Sequence, residues 1–381
     1  MQTYGVDAVI YIIIICLPTL LAFLADKTKG SLRACLVGLT LFIPCYFAGV
    51  RDTSVGTDVL TYGVWTFEAA KNQNFQDFML DYASISAMGF NALSWIAAQT
   101  SSFVFYLGMI QALTVCPIYL YARHRYPTCS WPAMAAYMLL LFPISLNAMK
   151  QMIAASLCTL SLGFIERKKP LAFGCFVLCI SLFFHQTAVV FLFMYPIVRL
   201  ILGVGNERRA LFGRFQPFAV GFLVLVLFGV AFIFGNALIE FVSPIKESYS
   251  YQAQAEGSRL NYSALVMSVG FCAVFLLNYI GEREVATSMV REESVLGIIS
   301  IIGFLAFQLN MVASSLQRFA YYLIVFVPLY LSSMAINHRK ASSSFAIGIA
   351  SMLLIFYFIQ AYVINRGNAI FPYTSIILGV Q

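Results

Sequence analysis

Residues 6–25 read VDAVIYIIIICLPTLLAFLA, an apolar run with one charge, Asp7, followed at once by Asp26, Lys27 and Lys29. A helix rises about 1.5 Å per residue, so about 20 apolar residues cross the roughly 30 Å hydrocarbon core of a bilayer. The run lacks the basic start and small-residue cleavage site of a secretory leader, so it reads as an uncleaved first span. The rest of the chain repeats this character. Of 381 residues, 61% are hydrophobic and 10% are charged, with 23 Lys and Arg against 16 Asp and Glu. A soluble domain carries about 25% charged residues. Disorder, coiled coil and nucleic-acid binding each need a far more polar chain, and this composition excludes them. An all-α, polytopic integral membrane protein remains, forming a single domain over residues 1–381.

Further apolar runs fall near 32–50, 102–121, 131–147, 150–165, 171–185, 186–204, 216–240, 260–280, 295–313, 316–336 and 344–364. They predict about twelve transmembrane helices. Cys16, Cys35, Cys45, Cys116, Cys158, Cys175, Cys179 and Cys272 lie in these runs and Cys129 in a basic loop, with no CxxC pair. Such cysteines behave as small hydrophobes rather than as a disulfide framework.

Orientation follows the basic residues. Alternate loops collect sixteen of them: Lys27, Lys29 and Arg33; Arg123 and Arg125; Arg167, Lys168 and Lys169; Arg199, Arg208, Arg209 and Arg214; Arg283 and Arg291; Arg339 and Lys340. The other side holds seven: Arg51, Lys71, Lys150, Lys246, Arg259, Arg318 and Arg366. The first set is expected in the cytoplasm, with both termini outward, and the net charge of +7 is then largely a topology signal. Outward connections include a long loop over about 51–101 and a moderate one near 243–259. Phe67, Phe75, Phe78, Met79, Tyr82 and Ile85 among polar neighbours predict short amphipathic helices on the outer surface of the long loop.

Ionisable residues at membrane depth are expensive and point to function. Four segments carry them, all on the outward side. The first leaves the second span as Gly49-Val-Arg51-Asp52-Thr-Ser-Val-Gly56-Thr-Asp58-Val-Leu-Thr-Tyr62. The second is the turn Leu146-Asn147-Ala-Met-Lys150-Gln151. The third is Phe184-His185-Gln186, and the fourth is Leu316-Gln317-Arg318-Phe-Ala-Tyr321-Tyr322. His124 and His338 sit in basic loops, which leaves His185 as the outward histidine. Three cations and an imidazole suit an anionic ligand at the outer leaflet. A diphosphate fits, because guanidinium forks bind phosphate oxygens in pairs and fixed cations neutralise a departing phosphate. Aromatic residues, 15% of the chain, supply surfaces for sugar rings.

Read in order, GVRDTSVGTDVLTY (49–62), LNAMKQMIAASL (146–157), FHQTAVVFLFMYP (184–196) and LQRFAYYL (316–323) resemble the EpsG-like branch of the Wzy-type polysaccharide polymerases. In the family the position of Lys150 is usually arginine; lysine keeps the charge and loses the fork. The resemblance implies a GT-C-like fold and a glycosyltransferase of the bacterial inner membrane, its active site facing the periplasm. It would move a glycan from undecaprenyl diphosphate to the non-reducing end of a second lipid-linked repeat. No cofactor or metal is implied. Donor, acceptor and membrane lipid are the expected partners, with a chain-length regulator and a flippase as further ones. In that picture Arg51 and Arg318 hold the diphosphate, assisted by Lys150. His185, Asp52 or Asp58 takes the acceptor proton, with His185 ranked first because an imidazole titrates near neutrality. Tyr62, Asn147 and Gln151 bind substrate. Two other readings are a transferase using a polyprenyl monophosphate sugar, with Asp52 or Asp58 as base, and a lipid-linked oligosaccharide flippase. The flippase reading conflicts with mid-span segments nearly free of charge.

Overall fold

The computed structural model describes residues 3–82, 87–202, 260–281, 288–311, 316–336 and 341–380. The span expected near 216–240, the outward loop at 243–259, Ile85 and His338 lie outside these residues. Among the described residues the chain is helical almost throughout, with no strand and one isolated bridge, Ser375 to Val380.

Six helical stretches among the described residues are long and apolar enough to cross a membrane: Val9–Lys27, Gly30–Val50, Phe103–Arg125, Glu292–Met311, Leu316–Ile336 and Ser343–Ile364. Shorter apolar helices are Trp131–Asn147, Pro170–Phe183, Gln186–Arg199 and Tyr262–Asn278. Their outward surfaces expose large apolar side chains such as Phe42, Leu171 and Met352, as lipid contact requires. Prolines lie inside four of the long stretches, Pro18, Pro44, Pro117 and Pro328. Neighbouring helices can compensate for the hydrogen bond each proline removes. Gly30–Val50 packs along both Thr3–Lys27 and Phe103–Arg125, and the latter packs along Met149–Leu160. Tyr262–Gly281 and Ser288–Ala306 pack together, with Ala341–Phe358 against the first of them. One continuous apolar core runs through both groups.

The ends of the helices differ in chemistry. At one end buried Asp26 accepts from the Ser130 amide (2.7 Å), the Trp131 amide (3.0 Å) and Arg123 (3.1 Å). Arg125 there binds Glu166 and Glu292. The helix that starts at Trp131 runs to Asn147, where the residue Ala148 (φ −86°, ψ 59°) breaks it. Met149–Leu160 and Leu162–Glu166 then return toward the basic end. The turn at Ala148 therefore sits at the opposite end from Asp26 and Arg125, beside the end of Gly30–Val50.

The expected short helices of the long loop are present as Val64–Asn72, Phe75–Asp81 and Met88–Ala98. Their packing differs from a surface-lying arrangement. Phe67, Phe78 and Phe90 are buried against Tyr106, Ile110 and Met149, forming a second small core over the helix ends. Phe75 and Tyr82 stay exposed, at 45% and 38%, and Trp65 and Leu80 are more exposed still, at 69% and 67%. The loop thus caps the helix bundle, burying Phe67 and Phe78 of the sequence pattern and leaving Phe75 and Tyr82 on its outer face.

Candidate functional site

The helix Gly30–Val50 ends at Arg51, where the backbone turns extended (φ −65°, ψ 150°). This places the guanidinium inside the protein, only 6% exposed. Its Nη2 approaches Met149 Sδ at 3.9 Å, while Nε and Nη1 have no hydrogen-bond partner among the described residues. Burial pulls the group down from its ordinary range to about 10, so it stays charged at neutral pH. Buried guanidinium donors normally find partners, so two without one are unusual.

Asp52 follows directly but serves the neighbouring chain segment. Its amide donates to the Thr374 carbonyl (3.0 Å), and its Oδ1 accepts from the Ile376 amide (2.9 Å). The Ser375 hydroxyl donates to the Val50 carbonyl (2.5 Å), completing a latch that holds residues 374–376 over the helix end. Gly56 sits at φ +90°, and a Cβ there would lie 2.2 Å from the Leu146 carbonyl oxygen. Only glycine satisfies both the conformation and the contact. The Gly56 amide donates to the Ala369 carbonyl (3.0 Å), so this turn is pinned between the helix end at Leu146 and the C-terminal segment.

That pinning sets Asp58. Asn147 Oδ1 accepts from the Thr57 hydroxyl (2.5 Å) and the Asp58 amide (3.3 Å), and its Nδ2 donates to Asn368 Oδ1 (3.1 Å). The Tyr62 hydroxyl, one helical turn on, donates to Asp58 Oδ2 (2.5 Å). Residues 59–63 form a π-helical turn, a form frequent at functional sites. Lys150 Nζ lies 4.5 Å from the Tyr62 ring centroid and 4.8 Å from that of Phe90. These rings replace part of the hydration that a lysine loses near the bundle. Burial raises the Asp58 carboxyl above its ordinary 3.8. The Tyr62 hydrogen bond, the Arg318 charge, the Met149 amide and the Lys150 charge oppose this without cancelling it. The same burial, with Asp58 beside it, pushes the Tyr62 hydroxyl well above its ordinary range.

The third and fourth segments meet through Gln151. Its Nε2 donates to the Arg318 carbonyl (2.9 Å) and lies 3.5 Å from Thr187 Oγ1. Thr187 Oγ1 pairs with His185 Nδ1 (2.6 Å) and with the Tyr322 hydroxyl (2.9 Å). His185 also caps the 3₁₀ turn Gln186–Phe193, its ring accepting from the Thr187 amide. Arg318 itself is exposed, with its charge within reach of Asp58.

The structure therefore brings Arg51, Asp58, Tyr62, Asn147 and Lys150 into one group, and joins Arg318 and His185 to it through Gln151. Asp52 belongs to the latch instead. Thr187, Tyr322 and the segment 366–376 are the participants that sequence reading passed over. Thr187 and Tyr322 lie inside the motif segments quoted above. The polar interruption Asn365-Arg366-Gly367-Asn368 after the last apolar run was a visible sign of the third. In that segment Arg366, Asn368 and Ala369 all adopt positive φ, at 50°, 63° and 51°. Residues without glycine's freedom hold this conformation only where their surroundings over-determine it.

The EpsG family model matches residues 34–375, nearly the whole chain, so the chain belongs to the EpsG family. All four motif segments fall within the match. Family membership points to a polysaccharide polymerase of glycosyltransferase type. No curated protein and no solved structure matches the chain.

Proposed function

We propose that this member of the EpsG family joins lipid-linked glycan repeats, using a polyprenyl diphosphate glycan, of the undecaprenyl type, as donor. The observation that carries the reading is the buried Arg51, with two unpaired donors, grouped with Asp58 and within a network that reaches Arg318. A guanidinium that makes no ion pair with the described residues can bind a diphosphate that arrives with its own charge. In the proposed step the acceptor hydroxyl oxygen attacks the anomeric carbon of the donor. The bond from that carbon to the diphosphate oxygen breaks, and its electron pair leaves with the diphosphate. Arg51 and Arg318 neutralise the developing charge there, with Lys150 adding a third cation. The acceptor proton passes to Asp58, whose raised affinity for a proton suits general-base work better than that of an ordinary carboxylate. Tyr62 orients Asp58, and Gln151 sets the Arg318 backbone. His185 takes a positioning role in this scheme: its Nδ1 pairs with Thr187, whose hydroxyl joins it to Gln151 and Tyr322 rather than to the Asp58 group.

Purified protein supplied with a defined lipid diphosphate repeat should yield a ladder of products spaced by one repeat. Each new linkage should release one free lipid diphosphate. Consumption of a lipid monophosphate sugar in its place, or translocation without linkage, would overturn the reading.

The proposed site faces the periplasm of the inner membrane. Basic residues at the other end of the bundle, Lys27, Arg123 and Arg125, support this through the positive-inside rule. Alkaline phosphatase fused after Tyr62 or Arg366 should be active, and fused after Lys29 or Lys169 inactive. The reverse pattern would put the site in the cytoplasm.

A further inference from the structure

Beside the cation group lies a cavity of about 500 Å³, within the range of about 300–1,000 Å³ typical of small-molecule sites. Its lining joins three chain segments that the proposed chemistry does not use: 260–263, 307–310 and 357–368. None of its lining residues is charged. Six are amides, namely Asn261, Asn310, Gln317, Gln360, Asn365 and Asn368. Among the described residues the side chains of Gln317, Gln360 and Asn365 and the hydroxyl of buried Tyr321 have no hydrogen-bond partner. Tyr357 and Tyr362 add buried rings to the wall. Residues 359–364 form a π-helical turn that brings Gln360 and Tyr362 to the same opening, next to the positive-φ residues 366, 368 and 369.

Such a wall has a definite chemistry. Each amide offers both a donor and an acceptor, as sugar hydroxyls and N-acyl groups require, and tyrosine rings pack on the apolar faces of pyranoses. Among the described residues no lining side chain is a cation that could pair with a carboxylate or sulfate inside the cavity. The cavity is also tied to the reacting group. Asn368 receives the hydrogen bond of Asn147, whose other end holds the Asp58 amide. Gln317 precedes Arg318 in the chain, and Tyr321 lies within electrostatic reach of both Asp58 and Arg318.

We infer that this cavity is a glycan subsite that takes an uncharged sugar of the repeat and excludes acidic ones. The inference rests on the polymerase reading for the identity of its ligand. It goes beyond that reading in assigning a recognition site, its residues and a neutral substrate class. The sugar belongs either to the acceptor's end or to the donor's first residues, and the two sources share this chemistry.

The test uses the full chain in nanodiscs with three soluble probes: cellobiose and N,N′-diacetylchitobiose, both neutral, and digalacturonate. Saturation-transfer NMR should show saturable binding of a neutral probe, with digalacturonate failing to compete. Gln360→Ala and Asn365→Ala should each weaken it about 3- to 10-fold, the usual scale for one neutral hydrogen bond. Asn365 is exposed, so that variant keeps its fold. In the polymerisation assay the same variants should raise KM and leave kcat nearly unchanged. A rise for the acceptor alone assigns the acceptor's sugar to the cavity, and a rise for the donor alone assigns the donor's. Absent binding of both neutral probes, unchanged affinity in both variants, or displacement by digalacturonate would overturn the inference. A product ladder with wild-type KM in both variants would sink the subsite and keep the polymerase reading. Variant-sensitive sugar binding without any ladder would do the opposite.

Discussion

Asp58→Asn should insert and fold as the native chain does and lose polymerisation rate by about 10²–10⁴, the range that a positioned general base contributes. The substitution keeps the size of the side chain and a carbonyl that can still accept from Tyr62, so the group around Asn147 persists. What disappears is the ability to take a proton. The pH dependence follows from the direction of the shift. Burial raises the Asp58 carboxyl above 3.8, and activity that needs the ionised form is present above that raised value and lost as pH falls through it. The stability sign is opposite to that of a salt-bridged aspartate. A folded-state pKa above the unfolded one favours the folded state below the unfolded pKa, and this contribution is lost as pH rises through the folded pKa. Once ionised, Asp58 therefore opposes folding, and Asp58→Asn should melt at the same temperature or higher while being inactive. A near-native rate in Asp58→Asn, with activity falling instead through the imidazole range in a manner abolished by His185→Gln, would move the base to His185.

Replacing Arg51 by methionine should cost about 10²–10³ in rate, as removal of one preorganised electrostatic group does. Again the protein should not be weakened. Methionine fills much of the same apolar volume, and a buried cation without an ion-pair partner costs more than it returns. Arg318 offers a contrast because it is exposed. Arg318→Ala should leave the melting temperature alone and lower the rate on a similar scale. Arg318→Lys should restore part of it, since charge returns without the planar fork. Lys150→Arg should be tolerated, because a guanidinium can stack on Tyr62 and Phe90 as the ammonium does. Rates are read from the ladder assay with lipid diphosphate repeat as donor. Native rates in both Arg51→Met and Arg318→Ala would remove the clamp, whatever the base proves to be.

Hydropathy alone determined that this is a helical membrane protein, since each side chain's preference for lipid over water is a local property that sums along a run. The same accounting exposed Arg51, Asp58, Lys150, His185 and Arg318, because charge at the end of an apolar run stands out against its neighbours. The motif order carried the family. Tertiary structure alone decided how these residues divide their work. Arg51 and Asp52 are adjacent in sequence and equal in polarity, yet one is buried with empty donors and the other latches Ile376, more than 300 residues away. Gly56 reads as a turn glycine, and only the approach of the Leu146 carbonyl shows why no Cβ is tolerated there. The polar stretch at 365–368 hinted at part of the amide-lined cavity, but Asn261, Gln317 and Gln360 lie in three separate regions of the chain that only packing brings together. Local polarity fixes which residues resist the membrane. Which of them meet depends on how the faces of distant helices pack, and no single stretch of chain carries that information.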